Sequence, residues 1–384
     1  MAKAGADYGM ALLWTILLSC VITFLLIDQF GKFTLVTGET ALNAFRKHIH
    51  PAVGIFFIVA LTAHVCGSVI GVMGIIADIS HEWSKSFITG GIPQIYFAVF
   101  FIFVVYLLFL DGRTKFFETV LAVVVAVMSV CFVINFLAFT PPVVEILEGL
   151  IPKVPDTPPG ENTFLVIASM VGTTVFSGLF ILRTTLVKEA NWTMNDFKLQ
   201  RRDALFSGFM MFLVSASIMA AAAGTLHKQG VLLNNVSEMI TLLEPLVGPL
   251  AVGIFTVGII AAGVSSQFPN VTLLPWMLDD YYQRKPNMRR PRYRVMVLLI
   301  SLLGLIVPVF NAPPIAIMII SQAFGALVLP ATVFCFLYIG NKKSLMGEQK
   351  HAPGLNIILV MIFLFALIMS YMSYQGLFSV IRSL

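Results

Sequence analysis

Gly172, Thr173, Thr174, Ser177 and Gly178 sit in the middle of an otherwise apolar run, TFLVIASMVGTTVFSGLFILRTTLV, from Thr163 to Val187. Such a run is long enough to cross a hydrocarbon core of about 30 Å as a helix, yet its centre is small and hydroxylated where leucine is expected. Glycine costs roughly 1 kcal/mol against alanine inside a helix, and hydroxyls compete for the backbone, so the helix is weakest there. A helix that opens near the bilayer midplane exposes carbonyl oxygens, the donors a hard divalent cation prefers. The same small residues would equally serve close packing against a neighbour, and this run alone does not separate the two readings. Other chemically active groups inside apolar runs are few: Gln322 in IISQAFGALVLPATVF, His64 in LTAHVCGS, Asn135 and Arg183. The Gln322 amide can ligate a cation or complete an interhelical hydrogen bond, His64 can titrate or rest against a backbone carbonyl, and Arg183 can snorkel to the interface. The run SSQFPN from Ser265 to Asn270 could be a second helix break, but near the cytoplasmic end of its span it reads more readily as a helix terminus. No paired carboxylates are expected within the spans. No His-Glu-x-x-His, nucleophile-elbow or phosphate-loop pattern occurs, so enzyme chemistry finds no support and no cofactor is implied.

These groups need helices to position them. With 384 residues, 58% hydrophobic and only 11% charged, the chain reads as an all-α polytopic membrane protein and not a soluble domain. The hydropathy pattern predicts ten spans, over about 11–30, 51–77, 92–110, 116–139, 164–187, 204–226, 245–268, 295–310, 314–340 and 355–380. Of the 24 Lys and Arg residues, 18 fall in alternate connections beginning with Lys32, Arg46 and Lys47, and the positive-inside rule makes that set cytoplasmic. The basic stretch from Arg284 to Arg294 belongs to it, so the net charge of +5 reports topology and contact with anionic lipid, not nucleic acid. Both termini then lie outside, and the opening residues lack the pattern of a cleaved signal peptide. Cys20, Cys66, Cys131 and Cys335 all fall in spans, where neither a disulfide framework nor a zinc cluster is expected. The proline-rich, acidic stretch from Thr140 to Asn162 reads as an external linker whose carboxylates either gather cations or merely solvate it.

Three stretches carry a resemblance: AGADYGMALLWTILLSCVITFLLIDQFGKFTLVTGE near the start, LLEPLVGPLAVGIFTVGIIAAGVSS from Leu242 to Ser266, and ISQAFGALVLP. In order and spacing they resemble the join of the first two helices, the eighth helix and the tenth helix of the Nramp family of divalent metal transporters. The resemblance covers nearly the whole chain. It implies the inverted-repeat fold of amino-acid-transporter-like permeases, with ten spans present of eleven. Residues 1–139 would be the remainder of the first repeat, 140–162 the external linker, 163–340 the second repeat and 341–384 an extra C-terminal helix. It also implies that a broken first helix bearing Asp-Pro-Gly-Asn precedes Met1, and that the 384-residue chain alone does not transport.

Residue by residue, Thr173 falls where the family offers a backbone carbonyl, and Phe176, Ser177 and Gly178 fall where it has Met-Pro-His. Gln322 matches its tenth-helix glutamine, while Leu61 and His64 replace an acidic pair tied to proton movement. Losing the thioether removes the preference for softer ions and leaves room for a small hard ion with retained water, the pattern of the Nramp-related magnesium transporters. The expectation is a divalent-cation permease of a bacterial-type plasma membrane, with Mg²⁺ favoured and Mn²⁺ also carried. Thr173, Phe176, Ser177, Gly178 and Gln322 form its metal site, His64 is the candidate proton relay, and proton coupling is weak or absent. The alternatives are a proton-coupled Mn²⁺/Fe²⁺ symporter of the main Nramp branch, an organic-solute transporter of the same fold, and a non-transporting scaffold. Oligomeric state is not legible.

Overall fold

Hydrocarbon offers no partner to a backbone N–H or C=O, so apolar runs of this length satisfy their own hydrogen bonds as helices. The computed structural model describes residues 1–111, 114–138, 141–158, 161–236, 238, 249–284, 287 and 290–383. Side chains are described at these positions except 111, 114–118, 121, 135–138, 249–252, 254–255 and 383, so Asn135 falls outside, as do Lys285, Arg289 and the Leu242 end of its landmark. The helices in chain order are α1 (Ala2–Tyr8), α2 (Leu13–Thr37), α3 (Ala41–His48), α4 (Pro51–Ser84), α5 (Gln94–Asp111), α6 (Thr114–Ala138), α7 (Val143–Gly149) and α8 (Thr163–Thr174). There follow α9 (Ser177–Glu189), α10 (Phe197–Gly224), α11 (Pro249–Tyr281), α12 (Pro291–Leu302), α13 (Ile306–Phe310), α14 (Pro314–Gly340), α15 (Lys343–Met346) and α16 (Pro353–Ser383). Among the described residues there is no strand, and eight helical stretches are long and apolar enough to cross a membrane, with shorter apolar helices at Gln94–Leu110 and Ala122–Ile134.

The core gathers around α14, which packs against α4, α8 and α16. Close approach is possible because of what is missing from the facing helices. On α4, a Cβ at Gly67 would meet the Ser321 side chain at 2.6 Å and one at Gly71 would meet Met318 at 3.0 Å, so these glycines let two backbones of α4 and α14 nearly touch. Phe336 of α14 stacks on Phe30 of α2 at 4.0 Å between ring centroids, and Phe30 also lies 5.7 Å from Phe180 of α9. These buried rings fix α2 against α14 and against α9, the helix that follows the break at Val175.

One expectation is corrected. The Ser265–Asn270 stretch is not a terminus, because α11 continues through Pro269 and Pro275 to Tyr281. Local hydroxyls turn back onto the helix, Ser266 Oγ donating to the Ala262 carbonyl at 2.8 Å and Thr272 Oγ1 to that of Phe268 at 2.9 Å. Gln267 Nε2 donates across to the Val69 carbonyl of α4 at 3.0 Å. Side-chain and interhelical bonds thus sustain a proline-bearing helix that the local sequence argued would end. Asp279 and Asp280 thereby fall in the last turn of a long helix, Asp279 held by Arg290 and Asp280 by Thr40.

Candidate functional site

The helix opens where the sequence is weakest. Asn162 Oδ1 accepts from the Leu165 N–H at 3.0 Å and starts α8, which stops at Thr174. Val175 (φ −100°, ψ 59°) and Phe176 (φ −79°, ψ 115°) leave helical geometry, and α9 resumes at Ser177. Carbonyls in the last turn of α8 therefore lose the N–H groups that a continuous helix would supply. The Thr174 carbonyl recovers a partner from Thr23 Oγ1 of α2 at 2.8 Å. Gly172 is required for contact: a Cβ there would collide with the Gln322 carbonyl oxygen of α14, so the two backbones meet directly beside the break.

Phe176 folds its ring back over Gly178, occupying the space a side chain at 178 would need, and stacks on His64 of α4 with centroids 4.8 Å apart and planes 25° apart. The other edge of His64 faces α14. A Cβ built on Gly325 would lie 3.0 Å from His64 Nδ1 and 3.1 Å from the Gly172 carbonyl oxygen. Gln322 lies between, its Nε2 reaching Ser68 Oγ at 3.4 Å and Met318 Sδ at 3.6 Å. Ser68 Oγ in turn accepts from Asn270 Nδ2 of α11 at 3.2 Å, and Ser321 Oγ donates to the His64 carbonyl at 3.1 Å. Four helices thus contribute polar groups to one locus beside the break.

The sequence-derived candidates divide accordingly. Phe176, Gly178, Gln322 and His64 come together, whereas Ser177 turns away and accepts from Thr332 Oγ1 at 2.7 Å. The Thr173 side chain is exposed, which leaves its backbone as the part relevant to a cation. Among the described residues His64 Nδ1, which is buried, has no hydrogen-bond partner, so it does not rest on a backbone carbonyl there. Arg183 reaches toward the connection after α9, pairing with Asp203 of α10 at 2.6 Å and lying 5.5 Å from the Trp192 ring. Ser68 and Asn270 were missed. The α4 signal was present as the i,i+4 pair His64 and Ser68 on one helix face, but Asn270 was invisible once α11 was taken to end before it.

Two cavities are lined by polar groups. One of about 310 Å³ is lined by Lys3, Glu161, Asn234, Ile319 and Ile320, the last two about one turn before Gln322 on α14. The other, of about 690 Å³, is lined by Thr40, Lys188, Glu189, Trp276, Asp279 and Asp280. There Thr40 Oγ1 donates to Asp280 at 2.6 Å, while Asp279 is held by Arg290 at 2.6 Å and by the Tyr293 hydroxyl. Beside this cavity, burial tends to raise the Glu39 carboxyl, but hydrogen bonds from Lys47 and His48 outweigh it and hold the group below the usual carboxylate range. Among the described residues no cluster of three His, Cys, Asp or Glu side chains forms a metal site. Whatever the break holds is met by carbonyl, amide, hydroxyl and imidazole groups.

A break flanked by packed glycines, with a glutamine on the facing helix, is the arrangement implied by the sequence resemblance. The Nramp family model, described as natural resistance-associated macrophage protein-like, matches residues 1–375. The chain belongs to the Nramp family. Among Nramp relatives, the divalent metal cation transporter MntH of Bradyrhizobium diazoefficiens is 24% identical over 366 residues, 91% of this chain and 78% of that protein. MntH of Staphylococcus saprophyticus is 25% identical over 380 residues, 93% of this chain and 82% of the relative. The MntH of Clostridium acetobutylicum aligns over a smaller part, 26% identical across 59% of this chain and 54% of its own length. In fold, the chain is similar to the crystal structure of a mutant Eremococcus coleocola manganese transporter, with a TM-score of 0.74 at 16% identity, covering 97% of this chain and 81% of the other. It is more distantly similar to MHP1, a nucleobase-cation-symport-1 family transporter, with a TM-score of 0.58 at 16% identity, covering 98% of this chain and 86% of the other. As an Nramp member the chain is an integral membrane protein of a transporter family, not an enzyme.

Proposed function

We propose that the protein carries divalent metal cations across a bilayer, with the α8–α9 break as the point where the ion sheds part of its hydration. The observation that carries this reading is the convergence of Gln322, His64, Phe176 and the end of α8 on one locus between four helices. Support comes from the relatives, which are divalent metal cation transporters by name, and from a fold neighbour that is a manganese transporter. Within that class we propose that Mg²⁺ is favoured over the soft ions Fe²⁺ and Cd²⁺, with Mn²⁺ sharing the path. A phenyl ring at 176 offers no sulfur, whereas amide and carbonyl oxygens suit hard ions. Residues 1–139 and 163–340 are proposed as the two halves of an inverted repeat, which would set the interrupted α8–α9 pair at the interface where such folds bind substrate.

The test is flux into liposomes by protein purified from its complete reading frame and reconstituted, with Mg²⁺, Mn²⁺ and Cd²⁺ in competition. Uptake of Mg²⁺ that Mn²⁺ inhibits more strongly than Cd²⁺ is the expected outcome. Flux indifferent to all three ions but inhibited by an organic solute would replace this reading with the organic-solute transporter of the same architecture.

A further inference from the structure

We infer that Lys3 is a latch: its ammonium ties α1 to the residues that lead into α8, and that tie keeps solvent from the wall of the smaller cavity at Leu165 and Val166. The inference goes beyond the cation-transport reading, because it is read from these contacts alone. Lys3 Nζ pairs with Asp7 on its own helix at 2.7 Å and with Glu161, two residues before α8, at 2.8 Å. It also donates to the Leu233 carbonyl at 3.0 Å and to Asn234 Oδ1 at 3.2 Å, in the connection that follows α10. An ammonium has three N–H groups, and Glu161, Leu233 and Asn234 take all three. The Lys3 side chain is only 11% exposed and that of Asp7 is fully enclosed, so each charge is held out of water by its partners. Asp7 Oδ1 meanwhile accepts from the Leu233 N–H at 3.0 Å, which seats α1 on the same connection.

The tie spans two groups of helices. On one side α1 lies against α10, where a Cβ at Gly5 would collide with the Met219 carbonyl oxygen; on the other, α8 lies against α14 and α16. Asn162, next to Glu161, adds a bond to Ser379 of α16 at 2.6 Å. The cavity of about 310 Å³ lies between the groups, with Lys3 and Asn234 from the first and Glu161, Leu165, Val166 and Ile319 from the second. Asn234 at its polar end is exposed, yet Leu165 and Val166 are only 7% and 4% exposed. The Lys3–Glu161 pair crosses the boundary, with a neutral hydrogen bond between the Tyr8 and Thr163 hydroxyls at 3.1 Å beside it. An ion pair suits a contact that must part and re-form. Attraction between the enclosed charges is offset by the hydration both regain when they separate, so opening costs less than the short distance suggests. The tie also fails in a defined way when either partner is lost. With Glu161 neutral, the ammonium keeps Asp7 but has no opposite charge on the second group; with Lys3 gone, Asp7 and Glu161 are like charges around one point and repel across the boundary.

The experiment measures, in reconstituted protein from the complete reading frame, how fast a water-soluble maleimide labels Val166→Cys, counted above the parent that lacks this substitution. Glu161→Gln, which nearly preserves shape, and Lys3→Met are each expected to raise the rate about tenfold, and the two together no further than either alone. Thr185→Cys, in the larger cavity, is labelled in parallel and is expected to keep its rate. Should Lys3→Met fail to fold, Glu161→Gln decides alone. A Glu161→Gln protein that unfolds thermally like wild type and leaves the Val166→Cys rate unchanged overturns the latch. So does an equal rise at Val166→Cys and Thr185→Cys, the mark of general loosening. A rise confined to Val166→Cys in protein that moves no divalent cation leaves the latch standing and overturns the transport reading.

Discussion

Phe176 replaces a donor with a surface. Its ring covers Gly178 and stacks on His64, so it fills space beside the break and holds the imidazole in place. Phe176→Met restores a soft donor and removes the stack, and is expected to raise Cd²⁺ affinity relative to Mg²⁺ by about tenfold. Calorimetric titration of both ions checks it; unchanged Cd²⁺ affinity in a folded variant would take position 176 out of the ion's reach. Gln322→Ala removes a hard donor and is expected to weaken Mg²⁺ and Mn²⁺ alike in the same titration, and wild-type affinity there would return the glutamine to a purely interhelical role. At this scale the sequence was informative where a residue type is improbable in hydrocarbon, as with Gln322 and His64. It was silent where an ordinary residue acts through a neighbour, as Ser68 does between Gln322 and Asn270. Asp28 of α2 was also passed over, though it is only 4% exposed and accepts from Gln29 at 2.9 Å.

The elements were legible to the extent that their cause is local. The interruption of α8 was foreseen because glycine and hydroxyl residues weaken a helix by themselves. The persistence of α11 through two prolines was not, because its support comes from α4, which is distant in sequence. His351, in the connection before α16, belongs to the same class of tertiary effect. It packs on Gly340 and lies 5.2 Å from the Phe336 ring, and burial, reinforced by Lys32, pushes its imidazole down to about 4. The unfolded chain takes up this proton first, near pH 6.5, so stability is fully present at neutral pH, declines as the pH falls below about 6.5 and stops declining below about 4. The loss from this group is about 3 kcal/mol at most. Thermal unfolding in detergent at pH 7.5 and 4.5 should show a larger drop for wild type than for His351→Phe. Equal drops would assign the acid sensitivity to other groups.

Across the whole molecule, charge is sorted by side and carboxylates by distance from the break. Asp28 sits between α2 and α10 with Arg201 nearby, and Gln200 Nε2 reaches the backbone carbonyls of Ile27 and Asp28 at 3.0 and 3.4 Å. Asp279 and Asp280 line the larger cavity together with Thr185, which lies roughly 13 Å along α9 from Phe176. Among the described residues no acid side chain bonds to Gln322, Ser68, Asn270 or His64, the groups that define the site. A proton wire through a membrane needs titratable groups within hydrogen-bond reach of the ion or linked by water, and carboxylates are its usual carriers. His64 is the titratable side chain at this locus, and among the described residues no carboxylate bonds to it to pass a proton on. Uptake should therefore proceed with little or no accompanying proton movement. Liposomes loaded with a pH-sensitive dye, given Mg²⁺ or Mn²⁺ outside at pH 7.5, are expected to accumulate the ion without acidifying in proportion to it. A proton signal that scales with ion uptake and disappears in His64→Ala would make that histidine the relay, and one that disappears instead in Asp28→Asn would place the proton path through α2 and α10, away from the ion.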